Sequence, residues 1–352
     1  MSEMFRRRLA AAVCGLALVI FAVPAVGQND EQQPRELADW ERAELQGLVE
    51  VVGAAVKGEL TPTEDPFELT ASYLKGTNGN TYVPFTLAVD PAKLQESNVA
   101  LYLYVIEHGS DAAEGDPDDD KEQQMPDAVF EDAYFVEVEQ GDDGVARLSR
   151  AFSAPGGDYD VYVAVRDSKG EDADDDERAE ATVMMLKKQV TVPDLWTPEL
   201  QTSSVLIAKV VEPLSAPLSP EEQIQHPYTL GTTRIVPKHD RSFGKQEELS
   251  LIMLVYNPKL TGDEMPDVTV EYNFHARKDG GEEFFNKTNP QQFNAQSLPP
   301  GFSVALGHQI VAGQSVPLTL FPPGDYRLEI VVTDNEAGTS ITQNVDFTVR
   351  ET

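Results

Sequence analysis

Cysteine is almost absent: Cys14 is the only one in 352 residues. It sits in an apolar run, after Ala11-Ala12-Val13, without the Leu that a lipidation site wants. Beyond that run the chain has no thiol, which excludes disulfides, a thiolate nucleophile and Cys-based zinc sites. Basic charge is also scarce. Lys and Arg number 27 against 60 Asp and Glu, for a net charge of −33. Phosphate recognition needs a basic face, so a nucleic-acid partner is not expected, and anionic lipid is an equally poor partner. Catalytic patterns are missing too. None of His108, His226, His239, His275 and His308 has metal-ligand spacing, and there is no H-E-x-x-H, no G-x-S-x-G elbow and no Gly-rich phosphate loop. No glycosidase pair stands out among so many acids, and modules of six or seven strands are small for a saccharide cleft. No enzyme and no catalytic residue is expected.

Only one long apolar run exists, Leu9 to Val23. Arg6, Arg7 and Arg8 precede it and Ala25-Val26-Gly27 follows, the layout of a cleaved signal peptide over residues 1–27. A retained anchor is the alternative. The run is shorter than the ~20 residues of a spanning helix, and Pro24 breaks it. The expected location is periplasmic or secreted in a bacterium, with no stable membrane insertion after cleavage.

Residues 28–35 read as disordered, and 36–79 as a helix with a connecting segment. The helix covers 36–57, with Leu37, Trp40, Leu48, Val52 and Ala55 near one face and Gly58 as its stop. Such a stripe covers its own fold or binds a partner; the first reading is preferred. From residue 80 the period becomes two. Thr81–Val89 reads as a strand that Pro84 places at an edge, and Leu101–Ile106 is apolar on both faces. The first β-module spans 80–193, a Pro-rich linker 194–202 carries Trp196 to the joint between modules, and a second β-module spans 203–352.

The two modules share words. Gly157-Asp158-Tyr159 opens a strand with Val161, Val163, Val165 and then Asp167; Gly324-Asp325-Tyr326 opens one with Leu328, Ile330, Val332 and then Asp334. Upstream, Met125-Pro126-Asp127 matches Met265-Pro266-Asp267, and the strands 101–107 and 251–257 precede them. This reads as a diverged duplication. Gly-x-Tyr near the end of a seven-strand pattern is the tyrosine-corner position of immunoglobulin-like sandwiches. The fold class is therefore mainly β: two tandem immunoglobulin-like β-sandwiches with an N-terminal helix. In the first, B is placed at 98–107, C at 131–139, F at 158–166 and G at 182–192.

The stretch Phe321-Pro322-Pro323-Gly324-Asp325-Tyr326, continuing to Asp334, resembles the last strands of sandwich modules in secreted acidobacterial proteins that carry GWxTD-type or von Willebrand-type regions. Tyr73–Gly76 with Asn80–Leu87 is similar to the start of such a module. The resemblance implies fold rather than activity. The chain has no Gly-Trp-x-Thr-Asp motif and no Asp-x-Ser-x-Ser adhesion motif.

Acidic runs are the most distinctive local feature. One spans 111–122 and includes Asp116, Asp118 and Asp120; the other spans 171–177 and includes Asp172, Asp174 and Asp176. As B–C and F–G loops the two would meet at one tip. Clustered carboxylates suit Ca²⁺, although position 6 of an EF-type loop starting at Asp116 is Lys121 instead of Gly. Solvated acidic loops are the preferred alternative. The expected function is an exported, non-enzymatic scaffold or interaction protein whose partner is a protein or extracellular ligand. A calcium-responsive ligand- or carbohydrate-binding module is the alternative, and no cofactor other than possible Ca²⁺ is implied.

Overall fold

The computed structural model describes residues 37–110, 125–141, 143–278 and 280–351. The chain divides into two compact units. One runs through Ala71 and resumes as Val83–Pro193; the other combines Ser72–Tyr82 with Asp194–Thr352. The first contains α1 (Asp39–Val56) and β1 (Glu68–Ala71). Next come β2 (Leu74–Lys75), which belongs to the second unit, and β3 (Thr81–Val89), within which the division falls. The first unit continues with β4 (Asn98–Glu107), β5 (Phe130–Glu137), β6 (Glu139–Gln140), β7 (Ala146–Ala154), β8 (Gly157–Asp167), α2 (Asp175–Ala179) and β9 (Val183–Val192). The second unit has β10 (Gln201–Thr202), β11 (Leu206–Pro213), α3 (Pro220–Gln225), β12 (Thr229–Leu230), β13 (Thr233–Pro237), β14 (Ser242–Gly244) and β15 (Glu248–Tyr256). It ends with β16 (Val268–Lys278), β17 (Gly281–Lys287), β18 (Gln291–Phe293), β19 (Ile310–Pro317), β20 (Gly324–Asp334) and β21 (Thr339–Arg350).

Both units are β-sandwiches of one topology. In the first, β1-β3-β7 forms one sheet and β5-β4-β8-β9 the other; in the second, β11-β15-β19 matches the former and β17-β16-β20-β21 the latter. In immunoglobulin letters these are A-B-E and C′-C-F-G. This corrects the strand assignment made from sequence. Residues 98–107 pair with β8 over Val99↔Asp167 to Glu107↔Tyr159, so they are strand C, and 130–137 is C′. The duplication shifts with it. Segment 251–257 corresponds to β3, and 101–107 corresponds to β16. The two Met-Pro-Asp words precede different strands.

The Gly-Asp-Tyr words are equivalent in the structure. Tyr159 Oη donates to the Pro155 carbonyl at 3.0 Å, and Tyr326 Oη to the Pro322 carbonyl at 2.6 Å. Each word's Asp accepts from a cross-strand Thr at 2.6 Å: Asp158 from Thr191 and Asp325 from Thr348. Gly157 permits the close turn, since a Cβ there would lie 3.2 Å from the Tyr159 hydroxyl. Asp167 and Asp334 are buried and cap local amides. Asp167 accepts from the Gln95 N–H, and Asp334 from those of Lys259, Glu336 and Ala337.

Why β4 is apolar on both faces follows from α1. Val99, Leu101, Leu103 and Val105 face the sandwich interior. Ala100, Tyr102, Tyr104 and Ile106 pack instead with Leu45, Leu48 and Val52 of the helix. The helix starts where Glu41 accepts the Ala38 N–H at 2.8 Å, and it stops at Gly58, whose φ of +73° suits glycine. The stripe of α1 thus covers its own unit. Pro84 does not lie at an edge, because β3 is flanked by β1 and β7. The register with β1 ends at Ala71↔Phe85, so the missing N–H of Pro84 breaks no bond on that side. In the second unit the core gathers around Phe274, Phe321, Tyr326 and Phe347, with Phe274–Phe321 centroids 5.2 Å apart and Tyr326–Phe347 centroids 5.4 Å apart. Trp196 belongs to this unit, donating to the Asn80 carbonyl at 2.9 Å with Lys75 Nζ 4.4 Å over its ring.

Replacing Tyr159 or Tyr326 by Phe removes one hydroxyl bond and leaves a proline carbonyl unmet. Each change is expected to lower stability by about 1 kcal/mol, measured by urea unfolding. The Thr191→Val and Thr348→Val changes should follow the same order in the two units.

Candidate functional site

The described residues that flank the two acidic runs lie at opposite ends of the first sandwich. Residues 171–177 follow Asp167, which pairs with Val99, whereas the chain departs for 111–124 beyond Glu107, which pairs with Tyr159. It returns at the same end, where Tyr104 Oη donates to the Pro126 carbonyl and the Val129 N–H to that of Val105. Nine consecutive pairs separate the two ends, about 27 Å at the usual strand rise. The expected shared tip rested on reading strand C as B, and the anchors do not support it. Asp116, Asp118 and Asp120 lie outside the described residues. Asp172, Asp174 and Asp176 are exposed. Asp174 serves as the N-cap of α2, accepting the Glu177 N–H at 2.9 Å while Glu177 accepts that of Asp174 at 3.2 Å. Among the described residues no three metal-ligating side chains come together.

The F–G segment is instead bolted to α1. Glu44, fully buried, accepts the Lys169 N–H at 3.0 Å, and its Oε1 lies 3.9 Å from Arg178 Nε. Arg178 Nη2 donates to the carbonyls of Gly170 (2.7 Å) and Glu171 (3.2 Å), and Arg166 Nη2 donates to the Arg178 carbonyl at 2.5 Å. Two arginines and one carboxylate therefore shape the loop, which is a structural use of charge. Elsewhere His108 Nδ1 lies 3.0 Å from Asp160, whose other oxygen meets Lys187 Nζ at 3.2 Å. Among the described residues no hydroxyl or thiol is hydrogen-bonded to that imidazole.

The surface that differs from the rest is in the second unit, and charge shows it. Residues 288–324 contain no Asp, Glu, Lys or Arg, in a chain that is 25% charged. They form β18, the connection to β19, β19 itself and the approach to the tyrosine corner. In the second sandwich C′ (β17) pairs with C (β16), and among the described residues no strand pairs with the outer side of E. β19 is therefore a border strand of eight residues. The other long border strands carry charge: β5 has Glu131, Asp132 and Glu137, β9 has Lys187 and Lys188, and β17 has Glu282, Glu283 and Lys287. β7, bordered by β6 only at its start, carries Arg147 and Arg150. Charge on a border discourages stray pairing, and β19 has none.

Beside β19 lies a cavity of about 480 Å³, lined mainly by Phe293, Leu298, Pro299, Phe302, His308 and Val311. Its wall is locally ordered. Asn294 accepts the Gln296 N–H on its side chain and the Leu298 N–H on its carbonyl, both at 2.9 Å. Ser303 N–H donates to His308 Nδ1 at 3.0 Å, and Gly307, at φ +85°, turns the chain there. Phe293 and Phe302 reach inward to the core. Leu306, Val311 and Leu320, on the same uncharged run, are 76%, 53% and 82% exposed. The contrast with β17 is electrostatic. Arg327 and then Arg277, at 2.8 and 3.1 Å, hold the Glu282 carboxyl below its usual range. None of the site residues at β19 was singled out in advance, though the charge-free run was there to be read.

No protein-family model matches the chain, and no curated protein does. Among solved structures, α2-macroglobulin from Salmonella, reacted with methylamine, is 12% identical, with a TM-score of 0.19, over 83% of this chain and 17% of that one. Trypsin-activated α2-macroglobulin from Escherichia coli is 12% identical, with a TM-score of 0.21, over 82% of this chain and 17% of that one. A DUF3823 family protein from Bacteroides ovatus is 11% identical, with a TM-score of 0.21, over 73% of this chain and 90% of that one. The chain thus spans only 17% of the length of those two macroglobulins.

Two substitutions separate the α1 carboxylate that holds the F–G segment from the F–G carboxylate that caps α2. Glu44→Ala strips the Lys169 amide and Arg178 of a buried partner and should destabilise the first unit by about 3 kcal/mol. Asp174→Ala removes only a cap and should cost about 1 kcal/mol. Urea titration followed by Trp40 fluorescence reads both.

Proposed function

We propose that the protein is an exported, non-enzymatic interaction protein whose second sandwich presents its E-strand border to a protein partner. The observation that carries this reading is β19, a long border strand without charge, set beside an apolar cavity on an otherwise acidic chain. A border left bare of charge is a hazard unless something is meant to pair there. The cavity offers what a contact needs at its centre: apolar walls with a few polar groups, where one buried Leu or Phe of a partner contributes about 2 kcal/mol. Export is supported by the Arg-start, apolar run and small-residue layout of residues 1–27.

The test is photo-crosslinking in producing cells. A benzoylphenylalanine placed at Val311 in the full chain is expected to give a discrete adduct with another protein, while the same probe at Lys188 on the β9 border gives none. Equal labelling at both positions, or adducts at Lys188 alone, contradicts the reading.

A further inference from the structure

We infer that β19 takes up an extended, uncharged segment of another protein as an added strand, seating one apolar side chain of that segment in the cavity next to Val311. The inference rests on the interaction reading above and names its class of partner.

The backbone parity of β19 sets the argument. Leu318 N–H donates to the Glu247 carbonyl at 3.1 Å, and Pro317 pairs with Glu248. In an antiparallel pair, successive residues turn their peptide groups alternately toward the partner and away from it. Ile310, Ala312, Gln314 and Val316 therefore face β15, while Val311, Gly313 and Ser315 face outward. One outward group already has a side-chain partner. Gln291 Nε2 donates to the Gly313 carbonyl at 2.6 Å, and Tyr272 Oη donates to Gln291 Oε1 at 2.8 Å. An amide donor thus occupies a position where the N–H of a guest strand would sit. Pro317 obeys the same parity, lacking an N–H only where none is needed by β15.

Strand addition draws its affinity from such main-chain bonds and its selectivity from pockets that accept alternate side chains. The cavity of about 480 Å³ is lined by Val311, the first outward residue, so both determinants adjoin. Charge selects the guest. With no ionised side chain from residue 288 to 324, a charged guest residue would lose water and gain no counter-charge. A second copy of this chain fits less well, because two molecules of net charge −33 repel.

To test it, a phage-displayed library of short random peptides is panned on the full chain. Enriched peptides are then titrated by fluorescence anisotropy against the native protein, Ser315→Pro, Ser315→Ala and Leu298→Glu, with folding checked by thermal unfolding. Ser315→Pro removes one outward main-chain donor and no main-chain bond to β15; Ser315→Ala keeps that donor and controls for the Oγ contact with Ser250 on β15, 2.8 Å, which both variants lose. The expected peptides are uncharged, with apolar residues at alternate positions. Their binding should weaken about tenfold or more in Ser315→Pro and Leu298→Glu, stay within about twofold in Ser315→Ala, and change little between low and high salt. Binding that survives Ser315→Pro but not Leu298→Glu overturns strand addition and leaves the interaction surface standing. Binding untouched by either change overturns both readings. No enrichment, or enrichment of charged peptides with salt-dependent affinity, overturns the uncharged strand. A dimer in sedimentation velocity that Ser315→Pro abolishes assigns the border to a second copy and likewise overturns it.

Discussion

A strand at the border of a sheet turns half of its peptide groups toward whatever approaches, and this chain answers that constraint in two ways. Most long borders are guarded by charge: carboxylates on β5, lysines on β9, arginines on β7, and an ion-pair ladder linking Glu282, Arg277, Arg327 and Asp346 around β17. The border of β19 carries no charge, and at the Gly313 carbonyl it meets the uncharged amide of Gln291. It is a border for a topological reason. With the fourth strand of its sheet beside C instead of beside E, strand E loses the neighbour that a constant-type sandwich would give it. The first unit shares that topology, but its E strand carries Arg147 and Arg150. The difference between the units is therefore one of side chains on a shared scaffold.

The first unit spends its resources on closure. Its C strand is covered on one face by the opposite sheet and on the other by α1, so Tyr102 and Tyr104 are buried where a free sandwich would be wet. Burial raises the pKa of both phenols, reinforced by the nearby Glu131 carboxylate, so they remain neutral donors. Glu44, Arg166 and Arg178 then fix the F–G segment on the same helix. Charge here holds backbone, and the acidic residues left over at 172, 174 and 176 remain exposed.

Much of this was legible in the sequence, for physical reasons that can be named. The tyrosine corners were readable because Gly-Asp-Tyr combines a tight turn with a long apolar alternation, and only one fold position asks for both. The stripe on residues 36–57 was readable because its period is 3.6. The strand letters were not. LYLYVI is apolar on both faces whether it is B or C, and the covering of its second face by α1 is a tertiary fact. Pro84 misled because the rule that sends proline to edges also tolerates it where a ladder is interrupted, here between the pairs Ala71↔Phe85 and Leu74↔Tyr82. The full length of β19 is hard to read from the sequence because Gly313, Gln314 and Ser315 interrupt its apolar alternation. Residues 288–324 carry no catalytic or metal-ligating pattern, and their distinguishing feature is that none of them is Asp, Glu, Lys or Arg.

Amide hydrogen exchange along β19, resolved residue by residue with NMR on the full chain, tests the central claim most directly. An open border predicts fast exchange at Val311 and Ser315, with Gly313 also unprotected because Gln291 holds only its carbonyl, beside slow exchange at Ala312, Gln314 and Val316. Uniform protection of all six amides would mean that the border is already covered, and the account would fail.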